Sequence, residues 1–247
     1  VSTRSAVVEV EALTRRFGPF TALDEIDFRV DEGELFGVVG ADGAGKTTLL
    51  RILAGVLAPT TGDARVLGHS IARTPEAPKS ELAYMAQRFG LYEDLTVAEN
   101  LTFYADLYRV PRADRPERLE RLFRFSALEP FRHRLAGNLS GGMKQKLALS
   151  CSLVHEPRLL LLDEPTFGVD PISRRELWAI LTEMLDRGIT VIVSTSYLDE
   201  AERCDRVLIL DGGSALELDT PARLLASLPG VLLAVETSDP RRARNLL

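Results

Sequence analysis

The chain has 247 residues and a formal net charge of −6, and its hydrophobic and charged shares, 45% and 27%, are those of an ordinary soluble globular protein. The acidic balance disfavours a nucleic-acid partner, because phosphate neutralisation asks for a basic surface. The two cysteines, Cys151 and Cys204, have no metal-like spacing and make no disulfide framework, which fits a reducing, cytosolic compartment.

Residues 1–5 lack the hydrophobic stretch of a signal peptide. Residues 7–13 alternate apolar with polar, as do Ile26, Phe28 and Val30, and both stretches predict half-buried strands. Residues 35–39 form a short apolar run that stops at Gly40, and a helix is expected from about Lys46 to about Ala54. Further strands are expected over 64–67 and 82–86. Thr96-Val97-Ala98-Glu99 is a capping box, with a hydroxyl at the N-cap and a carboxylate three residues on. Behind it, Leu101, Tyr104, Ala105 and Tyr108 recur at helical spacing. Residues 116–125 suit a second helix, and Ser140 caps a third that reaches about Val154. A strand is expected over 158–162. The run Leu159-Leu160-Leu161-Leu162 in it is far shorter than the ~20 apolar residues that span a bilayer. Asp170-Pro171 starts a helix with an N-cap carboxylate and a proline in the first turn. Strands follow over 189–195 and 207–210. Residues 218–227 should add a strand and a helix, 231–235 another strand, and Asp239-Pro240 one more helix. The abrupt end at Leu247 fits either a piece of a longer chain or a short tail. Strands alternating with helices imply an α/β fold with a mainly parallel sheet covered on both faces.

Gly40-Ala41-Asp42-Gly43-Ala44-Gly45-Lys46-Thr47 fits the pattern G-x-x-x-x-G-K-[ST], with Thr48 next in the helix. Glycines let successive backbone N–H groups turn toward phosphate oxygens. The following helix adds its positive end. In such a loop the lysine reaches the β- and γ-phosphates and the hydroxyl of Thr47 ligates Mg²⁺. The strand over 158–162 then runs into Asp163-Glu164. Asp163 suits the Mg²⁺ ion, and Glu164 can polarise an attacking water. A kinase or GTPase shares these two features, but no Asn-Lys-x-Asp guanine-reading motif occurs.

Leu139-Ser140-Gly141-Gly142-Met143 separates these classes. It resembles the Leu-Ser-Gly-Gly-Gln signature of ABC transporter nucleotide-binding domains, and the resemblance runs from about residue 7 to 220. It implies a P-loop NTPase (RecA-like) core with an antiparallel β subdomain and a helical insert. The domain would span 1–220, with a core of 1–88 and 157–220, a helical subdomain of 89–156, and 221–247 as a C-terminal extension. It also implies that Ser140, Gly141, Gly142 and Met143 close over the ATP of a second domain in a head-to-tail dimer. By the same resemblance Phe17 stacks on adenine, Gln87 senses Mg²⁺ and the γ-phosphate, and Asp170 belongs to the D-loop. Residues 88–95 would receive a transmembrane permease partner, with Tyr92 and Leu95 either at that contact or simply packed within the helical subdomain. The wording around residues 90–96 and 199–205 is similar to ATPase subunits of bacterial drug exporters, above all the first half of tandem-domain ones. Such a subunit sits on the cytoplasmic face of the inner membrane through its permease.

Two residues depart from the family pattern. Ser196 stands where a histidine usually contacts the γ-phosphate. Serine is shorter and uncharged, so transition-state stabilisation should suffer while binding survives. Asp42 stands where Asn or Ser is common, and its carboxylate either repels the γ-phosphate or faces solvent. The competing functions are a non-transport ABC ATPase and a nucleotide-sensing regulatory module without turnover.

Overall fold

In the first strands, side chains of alternating polarity select the buried face. The computed structural model describes residues 5–88 and 90–227. β1 (Ala6–Phe17) and β2 (Phe20–Asp31) pair antiparallel, with Phe17 opposite Phe20 across the turn Gly18-Pro19. They bury Val8, Val10 and Leu13 against Leu23, Ile26 and Val30. β4 (Thr61–Val66) and β5 (His69–Ser70) complete a four-stranded sheet in the order β2-β1-β4-β5. All its pairings are antiparallel.

The second sheet is built from β3 (Leu35–Val39), β6 (Leu82–Met85), β7 (Leu159–Asp163), β8 (Thr190–Thr195), β9 (Arg206–Asp211) and β10 (Ser214–Asp219). Its order is β10-β9-β3-β8-β7-β6, parallel throughout except for the β9–β10 hairpin. The mainly parallel sheet expected from the β/α alternation is this one, and the antiparallel unit implied by the resemblance is the other. β3, β7 and β8 are buried at every position, as strands covered on both faces must be. Their period of two divides the core. Leu159 and Leu161 point into one cluster with Phe36, Leu49 and Leu53, and Leu160 and Leu162 into the other with Leu147 and Leu177.

The helices are α1 (Lys46–Leu53), α2 (Val97–Leu107), α3 (Arg115–Phe125), α4 (Gly141–Leu153), α5 (Pro171–Asp186), α6 (Leu198–Ala201) and α7 (Pro221–Ser227). The capping box forms as expected. Thr96 Oγ1 accepts from the Glu99 N–H at 3.2 Å, and the Thr96 N–H donates to the Glu99 carboxylate at 2.8 Å. That backbone bond holds the Glu99 carboxyl below the usual range. α2, α3 and α4 follow β6 in the chain, and α4 packs on α2, α5 and β6. Every residue of α4 after Gln145 is buried, because the helix is covered on several sides at once. β5 and α6 were not anticipated, since two and four residues are too few to show a period. The strand expected over 231–235 and the helix after Asp239 lie outside the described residues.

Candidate functional site

The site forms where the parallel strands end. β3 stops at Val39, and the chain turns through 40–45 into α1. Two glycines here admit no side chain. A Cβ on Gly40 would lie 2.3 Å from the Leu210 carbonyl. Gly45, the N-cap of α1, has φ 109°, and a Cβ there would meet the Ala22 carbonyl at 2.6 Å. The Gly213 N–H of the β9–β10 turn donates to the Ala44 carbonyl at 3.1 Å and braces the loop from behind.

Lys46 is the buried cation of this loop, only 4% exposed. Its Nζ donates to the carbonyls of Gly40 and Ala41 at 2.8 and 3.0 Å and pairs with Glu164 Oε1 at 3.1 Å. Parallel register places the other groups beside it. Met85 pairs with Leu162, and Asp163 with Ser194, so the ends of β6, β7 and β8 lie side by side. Thr47 Oγ1 donates to Asp163 Oδ1 at 3.0 Å, and Gln87 Nε2 donates to Glu164 Oε2 at 3.1 Å. Glu164 has φ 48°, a left-handed backbone that costs a non-glycine residue of order 1 kcal/mol. Its N–H is held by both the backbone oxygen and the hydroxyl of Ser194, at 3.2 and 3.0 Å.

Two residues that orient the acidic groups were not singled out from the sequence. Ser194 Oγ donates to Asp163 Oδ1 at 2.8 Å while accepting from Glu164, so one hydroxyl orients both acidic residues. The Tyr84 hydroxyl donates to Asp163 Oδ2 at 3.4 Å. Burial, helped by the Asp163 charge, pushes the Tyr84 phenol up to about 12, so it remains a donor at neutral pH. The signal available in the sequence was position within an expected strand, 82–86 for Tyr84 and 189–195 for Ser194; that both strands flank β7 follows from the sheet order.

Lys46, Thr47, Gln87 and Glu164 face a cleft of about 470 Å³ whose walls also include Phe17, Asp42, Gly43, Gly45 and Thr48, while Asp163 and Ser194 are buried behind it. Phe17 is half exposed, with the Arg15 guanidinium 4.5 Å from its ring centroid. Phe20, its partner across the hairpin, lines the same cleft, as does Phe167 after the acidic turn. Asp42 is exposed at the rim, while Ala44 is buried in the core beneath the loop. A buried ammonium, a glycine cradle and a hydroxyl beside a carboxylate fit a nucleotide triphosphate with a divalent ion. Among the described residues no cluster of three His, Cys, Asp or Glu could hold a metal unaided.

The remaining expected residues lie elsewhere. Ser140 caps α4, its Oγ accepting from the Met143 N–H at 3.3 Å, and Gly141 beside it is exposed. Gly142 is buried against α5, where a Cβ would meet Ser173 Oγ at 2.2 Å. Asp170 caps α5 through the N–H groups of Ile172 and Ser173, at 3.1 and 3.0 Å. The Ser173 bonds hold its carboxyl below the ordinary range. Ser196 is exposed just past β8. None of Ser140, Gly141, Gly142, Met143, Asp170 or Ser196 lines the cleft, and neither do the three histidines. Another cavity, about 330 Å³ between α3 and α5, has four arginines at its rim, each paired with a glutamate.

A family model described as ABC transporter matches residues 23–167. The Escherichia coli (strain K12) protein YbhF, described as a probable multidrug ABC transporter ATP-binding protein, is 50% identical over 227 residues. The match covers 91% of this chain and 39% of that protein. The daunorubicin/doxorubicin resistance ATP-binding protein DrrA of Streptomyces peucetius is 36% identical, covering 94% of this chain and 71% of its own. A solved ATP-binding subunit of an ABC transporter superposes with a TM-score of 0.81 at 32% identity, over 91% of this chain and 95% of that one. The chain thus spans 39% of the length of the YbhF relatives and most of the length of the others.

Proposed function

The chain belongs to the ABC transporter family as an ATP-binding domain, and from that premise we propose that it powers export by closing, with ATP bound, on a second nucleotide-binding domain. The observation that carries this reading is the grouping of Lys46, Thr47, Glu164 and Gln87 around one cleft, with Asp163 bonded to Thr47 behind its wall, while Ser140 and Gly141 stand exposed outside it.

Within the cleft, Lys46 would meet the β- and γ-phosphates, together with the N–H groups of residues 43–48. Thr47, Asp163 and Gln87 would hold Mg²⁺, whose charge offsets that of the phosphates. Glu164 would orient water, and Phe17 would stack on adenine. The 88–95 segment would receive the permease, with Tyr92 and Leu95 at the contact. Tyr92 is half exposed, its ring packed on Phe103 with centroids 4.5 Å apart. Among the described residues no helix is long and apolar enough to cross a membrane. Attachment would be peripheral, through that partner at the cytoplasmic face.

Hydrolysis at this chain's own cleft would be slow. Ser196 is exposed just past β8 and offers no charged donor to the γ-phosphate. The same observation favours a second reading, a nucleotide-sensing module without turnover. The experiment measures ATP binding by calorimetry and phosphate release for wild type, Lys46→Met and Ser196→His. Binding is expected in wild type and weakened at least about tenfold in Lys46→Met. Ser196→His is expected to raise release. Brisk wild-type release that Ser196→His leaves unchanged would defeat the assignment to Ser196.

A further inference from the structure

Glu200 on α6 is a carboxylate only 1% exposed, and the cleft chemistry does not use it. Burying a carboxylate costs several kcal/mol unless donors surround it. Here they come from three separate segments. Thr166 Oγ1, two residues beyond Glu164, donates a short bond to Oε1. Thr195 Oγ1, next to Ser196, donates to Oε2 at 2.6 Å and itself accepts from the Tyr197 N–H at 3.0 Å. From α5, Trp178 Nε1 donates to Oε1 at 3.3 Å. Arg174 Nε lies 3.7 Å from the same oxygen, and its guanidinium covers the Tyr197 ring at 4.4 Å.

An apolar side chain would fill this space without the desolvation cost. What a carboxylate adds is direction: it fixes the turn 164–170, the turn 195–197 and α5 relative to one another. We infer that Glu200 is a positioning residue that couples the acidic turn at the cleft to the Ser196 turn and to α5, so that nucleotide in the cleft is registered at all three. The inference rests on ATP occupying the cleft as proposed above. Its consequence is that Asp170 and the start of α5 respond to the state of Glu164 through side chains rather than through chain continuity alone.

Trp178 is the only tryptophan of the chain, so its emission reports on this carboxylate. Mg-ATP titrated into wild type should change the emission with the midpoint that calorimetry gives for binding. Thr166→Val and Thr195→Val each cut one link and leave the Trp178 bond in place. Each should lose at least about half of the emission change while ATP affinity stays within about threefold. Thr166→Ser and Thr195→Ser, which keep the hydroxyl, should restore it. Valine variants that bind ATP and respond like wild type would overturn the inference, as would a wild type that binds ATP with unchanged emission. Amide exchange in wild type tests it without substitution: Mg-ATP should slow exchange in 166–174 and 195–201 together, and an effect confined to the first segment would overturn it. Failure of wild type to bind ATP at all would sink the reading of the cleft, and the coupling with it.

Discussion

Ser194 is the residue on which the geometry of both acidic groups depends. Its hydroxyl is fully buried, donates to Asp163 and accepts from the Glu164 N–H. Alanine at this position would leave Asp163 with one donor fewer and Glu164 with only a backbone acceptor. A buried group stripped of its partner costs about 1–3 kcal/mol. Ser194→Ala is therefore expected to lower stability by that order, read from the urea midpoint. It should also weaken the Mg²⁺ dependence of ATP binding, because Asp163 loses its fixed rotamer. Ser194→Thr keeps the hydroxyl and should recover the Mg²⁺ dependence. An alanine variant whose ATP affinity depends on Mg²⁺ as strongly as wild type would show that Thr47 and Tyr84 suffice to hold Asp163.

At the scale of elements, His155 joins the end of α4 to α2 and β6. Its ring stacks on Tyr108 with centroids 3.9 Å apart, and Nε2 lies 3.2 Å from the Leu82 carbonyl. Burial pushes its pKa below the ordinary 6.5. Above 6.5 the ring is neutral in both folded and unfolded chains. As pH falls below that value, the unfolded chain takes up the proton first, so stability is lost down to the folded pKa. Denaturant midpoints measured from about pH 7 to about pH 5 should fall in wild type, and His155→Phe, which keeps the stack, should flatten part of that fall. An identical slope in the two proteins would assign the loss to other groups. This junction also marks what the sequence could reveal. The capping box of α2, the Ser140 cap of α4 and the apolar run of β3 are local signals, written in a few adjacent residues. Lys46, Asp163 and Glu164 were legible because their motifs are compact. Ser194, Tyr84 and Glu200 act through strand register or across turns more than 25 residues apart, and periodicity carries no information about which strand lies beside which. Phe20 was passed over because hairpin register, not spacing, sets it beside Phe17.

For the whole molecule, the question is whether the signature segment acts within its own chain or on another. Its two glycines differ in a way that separates folding from assembly. Gly142 is pressed against Ser173, and a methyl group there would collide at 2.2 Å, so Gly142→Ala should destabilise the α4–α5 packing itself. Gly141 is exposed, and a methyl group there would meet nothing within 4 Å. An aspartate at the first turn of a helix is favourable by about 0.3–1 kcal/mol, so Gly141→Asp should fold at least as well as wild type. If the signature closes over another domain's phosphates, however, the new carboxylate meets a like charge. Glu164→Gln keeps the size of the side chain but removes the charge that would assist water, and it should favour an ATP-bound pair. Sedimentation of Glu164→Gln with Mg-ATP is expected to show a dimer. Glu164→Gln combined with Gly141→Asp should bind ATP comparably yet stay monomeric. A double variant that dimerises like Glu164→Gln would place the contact elsewhere, and one that loses ATP binding as a monomer would mean that Gly141 serves the cleft of its own chain.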